Sequence, residues 1–126
     1  MSSQAVDERR VAAAQAGFYV TTGVWPLLHR RSFERLTGPK TDFWLAQTVG
    51  VLVAALGVGL ARAASREGRV PAELRSVARL SAAGLGLVDV WFVARRRISP
   101  VYLLDAGAEA LLLAGWFRAG RREDGR

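Results

Sequence analysis

Four long apolar stretches, separated by short blocks of charge, organise this chain. No Asp, Glu, Lys or Arg lies between Arg10 and Arg30, or between Asp42 and Arg62. From Leu80 to Ala94 the only such residue is Asp89, and from Ile98 to Phe117 the only ones are Asp105 and Glu109. A soluble amphipathic helix carries charge on its outer face at every turn or so, and these stretches do not. Each is close to the ~20 residues that cross a hydrocarbon core as an α-helix. The pattern predicts an all-α protein, a four-transmembrane-helix bundle of antiparallel, up-down topology. It forms a single integral membrane domain over 1–126, with spans at about 11–28, 43–63, 74–94 and 100–117 and a disordered charged tail at 118–126.

Local signals set the span ends. Asp42, or Thr41 beside it, is placed to cap the second span. Ser99 caps the fourth, with Pro100 in its first turn. Pro26 bends or ends the last turn of the first. That first stretch is expected to remain as an uncleaved span: its leader has balanced charge, Asp7 and Glu8 against Arg9 and Arg10, and no small-residue cleavage site follows.

Four spans place both termini on one side, A, together with the 62–79 turn. Side B carries the 29–42 loop and the short turn from Arg95 to Ser99, which makes the third and fourth spans antiparallel neighbours. Eleven of the Lys and Arg residues fall on side A and seven on side B, a bias that puts the termini in the cytoplasm of a bacterial inner membrane. Trp25, Trp44, Trp91 and Tyr102 approach side B, and Trp116 and Phe117 side A, as interfacial aromatic belts do.

Helical spacing gives each span one small or polar face. Phe43, Gln47, Gly50, Ala54, Gly57 and Ala61 share a face of the second span, of the kind that lets membrane helices approach closely. Ala82, Ala83, Gly86 and Asp89 share one on the third, and Asp105, Ala108, Glu109 and Leu112 one on the fourth. Gln15, Thr22 and His29 recur at sevens along the first, with Phe18 and Trp25 beside them. At 1.5 Å per residue, Gln47, Thr22, Asp89, Asp105 and Glu109 all lie roughly 6–14 Å from the side B end. They are therefore expected to meet in one polar layer. On side A only Gln15 and a few serines are expected to be buried.

A charge inside a span is costly unless it is paired, lines a wet cavity or works. Asp105 and Glu109, four residues apart, can share a proton, bind a cation or act as general acid or base. The alternative is permanent neutralisation by Arg31, Arg95, Arg96 or Arg97. His29 can join the acids as a metal ligand or relay, or simply be solvated; one His with carboxylates makes no convincing metal set. In the 29–42 loop, Gly38-Pro39 marks a tight turn. A short interfacial helical turn over 32–36 would dip Phe33 and Leu36 into lipid. Arg31 and Lys40, with Arg95, would ring the mouth of the pocket. The ligand-binding set is thus Asp89, Asp105, Glu109, Gln47, Thr22, Trp25, His29 and Tyr102.

Composition excludes several classes. The net charge is +7, but the arginines sit in short blocks between apolar runs, where lipid headgroups would meet them. No residue series suggests base stacking, so nucleic acid is not an expected partner. The chain has no cysteine, which excludes disulfides and thiol chemistry. No nucleophile–base pair, phosphate loop or haem motif occurs, and no cofactor or metal is expected.

The stretches from Trp25 to His29, Arg31 to Glu34, Thr37 to Asp42 and Ile98 to Asp105 resemble small bacterial four-span membrane proteins that carry no assigned activity. The resemblance spans nearly the whole chain and implies architecture without mechanism. The size is similar to that of small multidrug transporters, which rely on a glutamate in their first span; residues 11–28 contain none. The expected function is binding of a small or lipid-like, cationic or amphipathic molecule in a carboxylate-lined pocket open to side B. The alternatives are a proton-coupled transporter, a membrane acid/base enzyme and a structural subunit. Membrane lipids and a second copy of the chain are the expected partners.

Overall fold

The computed structural model describes residues 3–124. Among them are five helices: α1 (Ser3–Leu28), α2 (Arg30–Thr37), α3 (Phe43–Ala64), α4 (Ala72–Ala94) and α5 (Tyr102–Asp124). The all-helical class holds, and four long helices follow the four apolar stretches. Two boundaries differ by more than a turn. α1 begins eight residues before the expected span, at Ser3 instead of Val11, and α5 continues through the charged tail to Asp124. Residues 125 and 126 of that tail lie outside the described residues. Both extensions have a tertiary cause: Glu8 and Ala119 are buried against other helices, so packing holds the polar ends helical.

The register of contacts gives the topology. Gly23 meets Gly50, Val20 meets Gly57, and the Arg9 Nε donates to the Ala64 carbonyl at 3.1 Å, so α1 and α3 run antiparallel. Gly86 meets Glu109 and Arg79 reaches Trp116, so α4 and α5 do the same. Gln15 joins Trp116 while Tyr19 joins Glu109, which sets α5 antiparallel to α1. The order across the molecule is α3, α1, α5, α4. α3 packs on α1 and only grazes α4.

The small-residue face of α3 is realised at Gly50 and Gly57, both buried against α1. On α1 the inward stripe is Ala5, Glu8, Ala12, Gln15, Tyr19, Gly23 and Pro26, at steps of three or four. Around Ala12, Ala16, Leu60, Ala78 and Trp116 these faces form the core.

α3 and α4 are long and apolar enough to cross a membrane. α1 and α5 fall short of that test because Gln15, Tyr19, Thr21 and Thr22 on one, and Asp105 and Glu109 on the other, dilute their apolar character. The two inner helices carry several polar groups on their contact faces, whereas the apolar stretch of α4 carries one buried charge, Asp89, and α3 none. Only 22% of the most apolar stretch of α3 and 17% of that of α4 are buried inside the protein.

Two connections are built by local chemistry. The Arg95–Ser99 turn is a Schellman-type close: Arg96 takes a left-handed φ of 58°, Arg97 N–H donates to the Phe92 carbonyl at 2.9 Å, and Arg96 N–H to that of Val93 at 3.0 Å. α5 begins at Tyr102, two residues after the expected Pro100, so Ser99 is not its N-cap; its Oγ accepts the Val101 N–H at 3.3 Å in the turn ahead of the helix. Asp42 stands at the N-cap of α3 but makes no side-chain cap bond.

α2 is two turns rather than one. His29 caps it, Nδ1 accepting the Ser32 N–H at 3.1 Å, and Gly38, at φ 97°, closes it by donating to the Glu34 carbonyl at 2.7 Å. Glu34 accepts from Arg30 Nε at 2.6 Å and from the Lys40 N–H at 2.8 Å, tying the helix to its exit turn. The Arg30 bond first, and the Lys40 N–H second, hold the Glu34 carboxyl below its ordinary range. A depressed folded-state value means that this tie is fully present above the unfolded-state pKa and is lost as pH falls through the folded one. An NMR titration of Glu34 should show its midpoint below the ordinary glutamate value, and Arg30→Ala should move it back up. An unchanged midpoint in that variant would show that the ion pair contributes nothing.

Candidate functional site

α1, α4 and α5 bring together the three acids of the apolar stretches. Glu109 is 1% exposed and accepts a hydrogen bond from the Tyr19 hydroxyl at 2.8 Å. Gly86 makes room for it, since α4 passes against the Glu109 Cβ there. Asp89 is 7% exposed, and the antiparallel register that sets Gly86 against Glu109 puts it level with Asp105. The Asp89 Oδ2 is buried and has no partner. Among the described residues no basic side chain forms an ion pair with any of the three. No group of His, Cys, Asp and Glu among the described residues is arranged to hold a metal ion.

In front of Asp105 lies a cleft of about 220 Å³ between α1, α2 and the start of α5. Its walls are Phe18, Thr22 and Trp25 from α1, Phe33, Leu36 and Thr37 from α2, and Val101, Tyr102, Leu104 and Asp105. Asp105 is the one charged residue among them. Four aromatic rings therefore surround a space with a single carboxylate in its wall. α2 closes one side: Trp25 meets Phe33 edge-on at 5.4 Å and donates its indole N–H to the Ser32 Oγ at 2.7 Å. The Lys40 Nζ lies over the Phe33 and Tyr102 rings at 5.2 and 5.4 Å while donating to Thr37 and Gly38 oxygens.

No family model, curated protein or solved structure matches the chain. The site therefore has to be read from its own residues.

Of the eight expected ligand-binding residues, Thr22, Trp25, Tyr102 and Asp105 line the cleft, and Asp89 and Glu109 stand with Asp105. Gln47 does not join them. It sits half-buried on α3, which packs on the far side of α1, because a row of helices replaces the closed ring that equal depth suggested. His29 is exposed and serves as the α2 cap. Thr22 lines the cleft with its hydroxyl already donating to the Phe18 carbonyl at 2.7 Å.

The arginine lid is corrected as well. Arg31 is exposed, and Arg95 lies outward over the Trp91 ring at 5.1 Å, because Trp91 and Arg95, four residues apart, share the exposed face of α4 while Asp89 is on its buried one. Only Lys40 of the expected mouth residues stands beside the cleft. Phe33 packs between Trp25 and Phe43 instead of dipping outward.

Three buried groups went unread in the sequence. Tyr19 and Trp116, both essentially unexposed, form a polar line with Gln15, which accepts the Trp116 indole N–H at 2.7 Å and donates to the Ala78 carbonyl at 3.1 Å. Trp116 is thus a core residue and not an interfacial anchor. Glu8, fully buried near the N-terminus of α1, accepts from the Val70 N–H at 3.2 Å, Arg69 at 3.0 Å and Arg75 at 3.2 Å. A Tyr four residues after Gln15 on one stripe was a usable signal. Nothing local distinguished Glu8 from Asp7.

Proposed function

We propose that the protein is a four-span bacterial inner-membrane protein, with cytoplasmic termini, whose cleft binds a small hydrophobic organic cation. The mostly exposed apolar stretches of α3 and α4 support the membrane assignment, as do exposed Leu80, Leu87, Leu104 and Leu111. α1 and α5 cross with them, their polar side chains turned toward neighbouring helices, where intramembrane polar groups find partners. Lipid acyl chains are the partners this arrangement requires.

One observation carries the ligand assignment: an aromatic cleft whose single charged wall residue is a carboxylate, backed by two further acids without a basic partner. Aromatic faces and a carboxylate together favour quaternary ammonium or amine groups. The modest volume favours one such group with a short apolar substituent over a large drug-like molecule.

Benzyltrimethylammonium is a suitable probe, being a permanent cation with one ring. Calorimetry on the detergent-solubilised protein should show saturable binding. Asp105→Asn should weaken it about ten-fold or more, whereas Arg95→Ala, on the outward-turned arginine, should leave it unchanged. Equal binding by wild type and Asp105→Asn would remove Asp105 from the site.

A further inference from the structure

Resting on that reading of the cleft, we infer that it exchanges cation for proton: a monovalent organic cation seated against Asp105 displaces one proton held between Asp105 and Asp89. The inference stands on which groups face this pair. α4 supplies Asp89 itself, 7% exposed with Oδ2 lacking any partner. α5 supplies Asp105 and, one turn deeper, Glu109. From α1 come Tyr19, whose hydroxyl is committed to Glu109 at 2.8 Å, and the neutral Gln15. α3 brings no charge to the pair. Beside the cleft, Lys40 is held over the Tyr102 ring and by the Thr37 and Gly38 oxygens, and it forms no ion pair with either acid. The arginines of the α4–α5 turn are exposed.

No fixed positive charge therefore compensates the pair. Two carboxylates level with each other on packed helices, one of them nine-tenths buried, cannot both be ionised without such compensation. One proton between them turns the repulsive contact into a hydrogen bond. Asp89 is sealed, whereas Asp105 opens to the cleft, so a ligand reaches the pair through Asp105 alone. When a cation arrives, one O–H bond breaks, the proton leaves to water, and both carboxylates remain ionised beside the ligand. One positive charge enters as one departs, so the net charge of the site is the same before and after.

The test is calorimetry of benzyltrimethylammonium binding to the solubilised full chain near neutral pH, in buffers of different ionisation enthalpy. The probe carries no titratable proton, so any released proton comes from the protein. The expected result is release of about one proton per cation, with affinity rising by up to about ten-fold per pH unit while the pair holds its proton. In Asp89→Asn, whose amide can make the hydrogen bond that the shared proton made, the count should fall toward zero. Saturable binding with heats independent of buffer would overturn the exchange and leave the cleft reading standing. A count that stays near one in Asp89→Asn would also overturn it, by placing the proton elsewhere. Absence of saturable binding in the wild type would overturn the cleft reading, and the exchange with it.

Discussion

Glu8→Ala is expected to destabilise the protein by about 2–4 kcal/mol. Glu8 is fully buried, and its two oxygens accept from the Val70 N–H and from both Arg69 and Arg75. Removing it leaves a buried backbone donor without an acceptor and takes the counter-charge from two guanidiniums. Loss of one partner of a buried pair costs about 3–5 kcal/mol. The side chains of Arg69 and Arg75 are 37% and 21% exposed, so water recovers part of that loss here. Glu8→Gln keeps an acceptor for Val70 and should cost roughly half as much. Unfolding in mixed detergent–denaturant micelles measures the difference. A second readout is local: the 65–71 connection, which contains Arg66 and Arg69, should become a faster tryptic site in Glu8→Ala than in wild type. Wild-type stability and cleavage rate in Glu8→Ala would show that the clamp holds nothing.

The second large effect is expected at Gly50. A Cβ built there would overlap the Gly23 carbonyl oxygen, and one built at Gly23 would lie 2.6 Å from the Gly50 carbonyl oxygen. Backbone faces backbone, so no flexible side chain can swing away. Gly50→Ala must push α1 and α3 apart along the most extensive helix contact of the fold. Overpacking of this kind costs about 1–3 kcal/mol, and more where backbone has to move. Gly59→Ala is the matched control on the same helix: nothing lies within 4 Å of its Cβ position, so the substitution should stabilise α3 by up to about 1 kcal/mol through helix propensity. Two glycines nine residues apart on one helix should thus respond with opposite sign. The same sign for both would mean that the close approach is not what holds α1 against α3.

How far the sequence could be read depended on the range of the interaction concerned. The long helices follow from runs without charge, and the small face of α3 follows from steps of three and four; both are local properties of the chain. The joining of Asp105 with Glu109 needed only helical periodicity. Asp89 came to the same place because the Arg95–Ser99 turn is too short to let α4 and α5 part. Gln47 failed because depth along a helix is local, whereas lateral position depends on which neighbour the helix chooses. α3 chose α1, through Gly23 against Gly50 and Val20 against Gly57. Arg95 failed because it follows Trp91 by four residues on the exposed face of α4, whereas Asp89 is on the buried one.

Charge alternation and hydrophobic period, which each residue reports to its near neighbours, determined by themselves the helices, the order in which they alternate direction, and the presence of acids in apolar surroundings. Only the tertiary structure decided that those acids meet an aromatic cleft instead of a ring of arginines. Only it decided that Glu8, in an ordinary run of mixed charge, is the most completely buried ion-pair partner described. The Glu8 ion pairs and the cleft join residues 60 or more positions apart, as Glu8 and Arg69 are. Their partners are chosen by helix packing, for which van der Waals contact between small residues sets the geometry and polar groups take the places that remain.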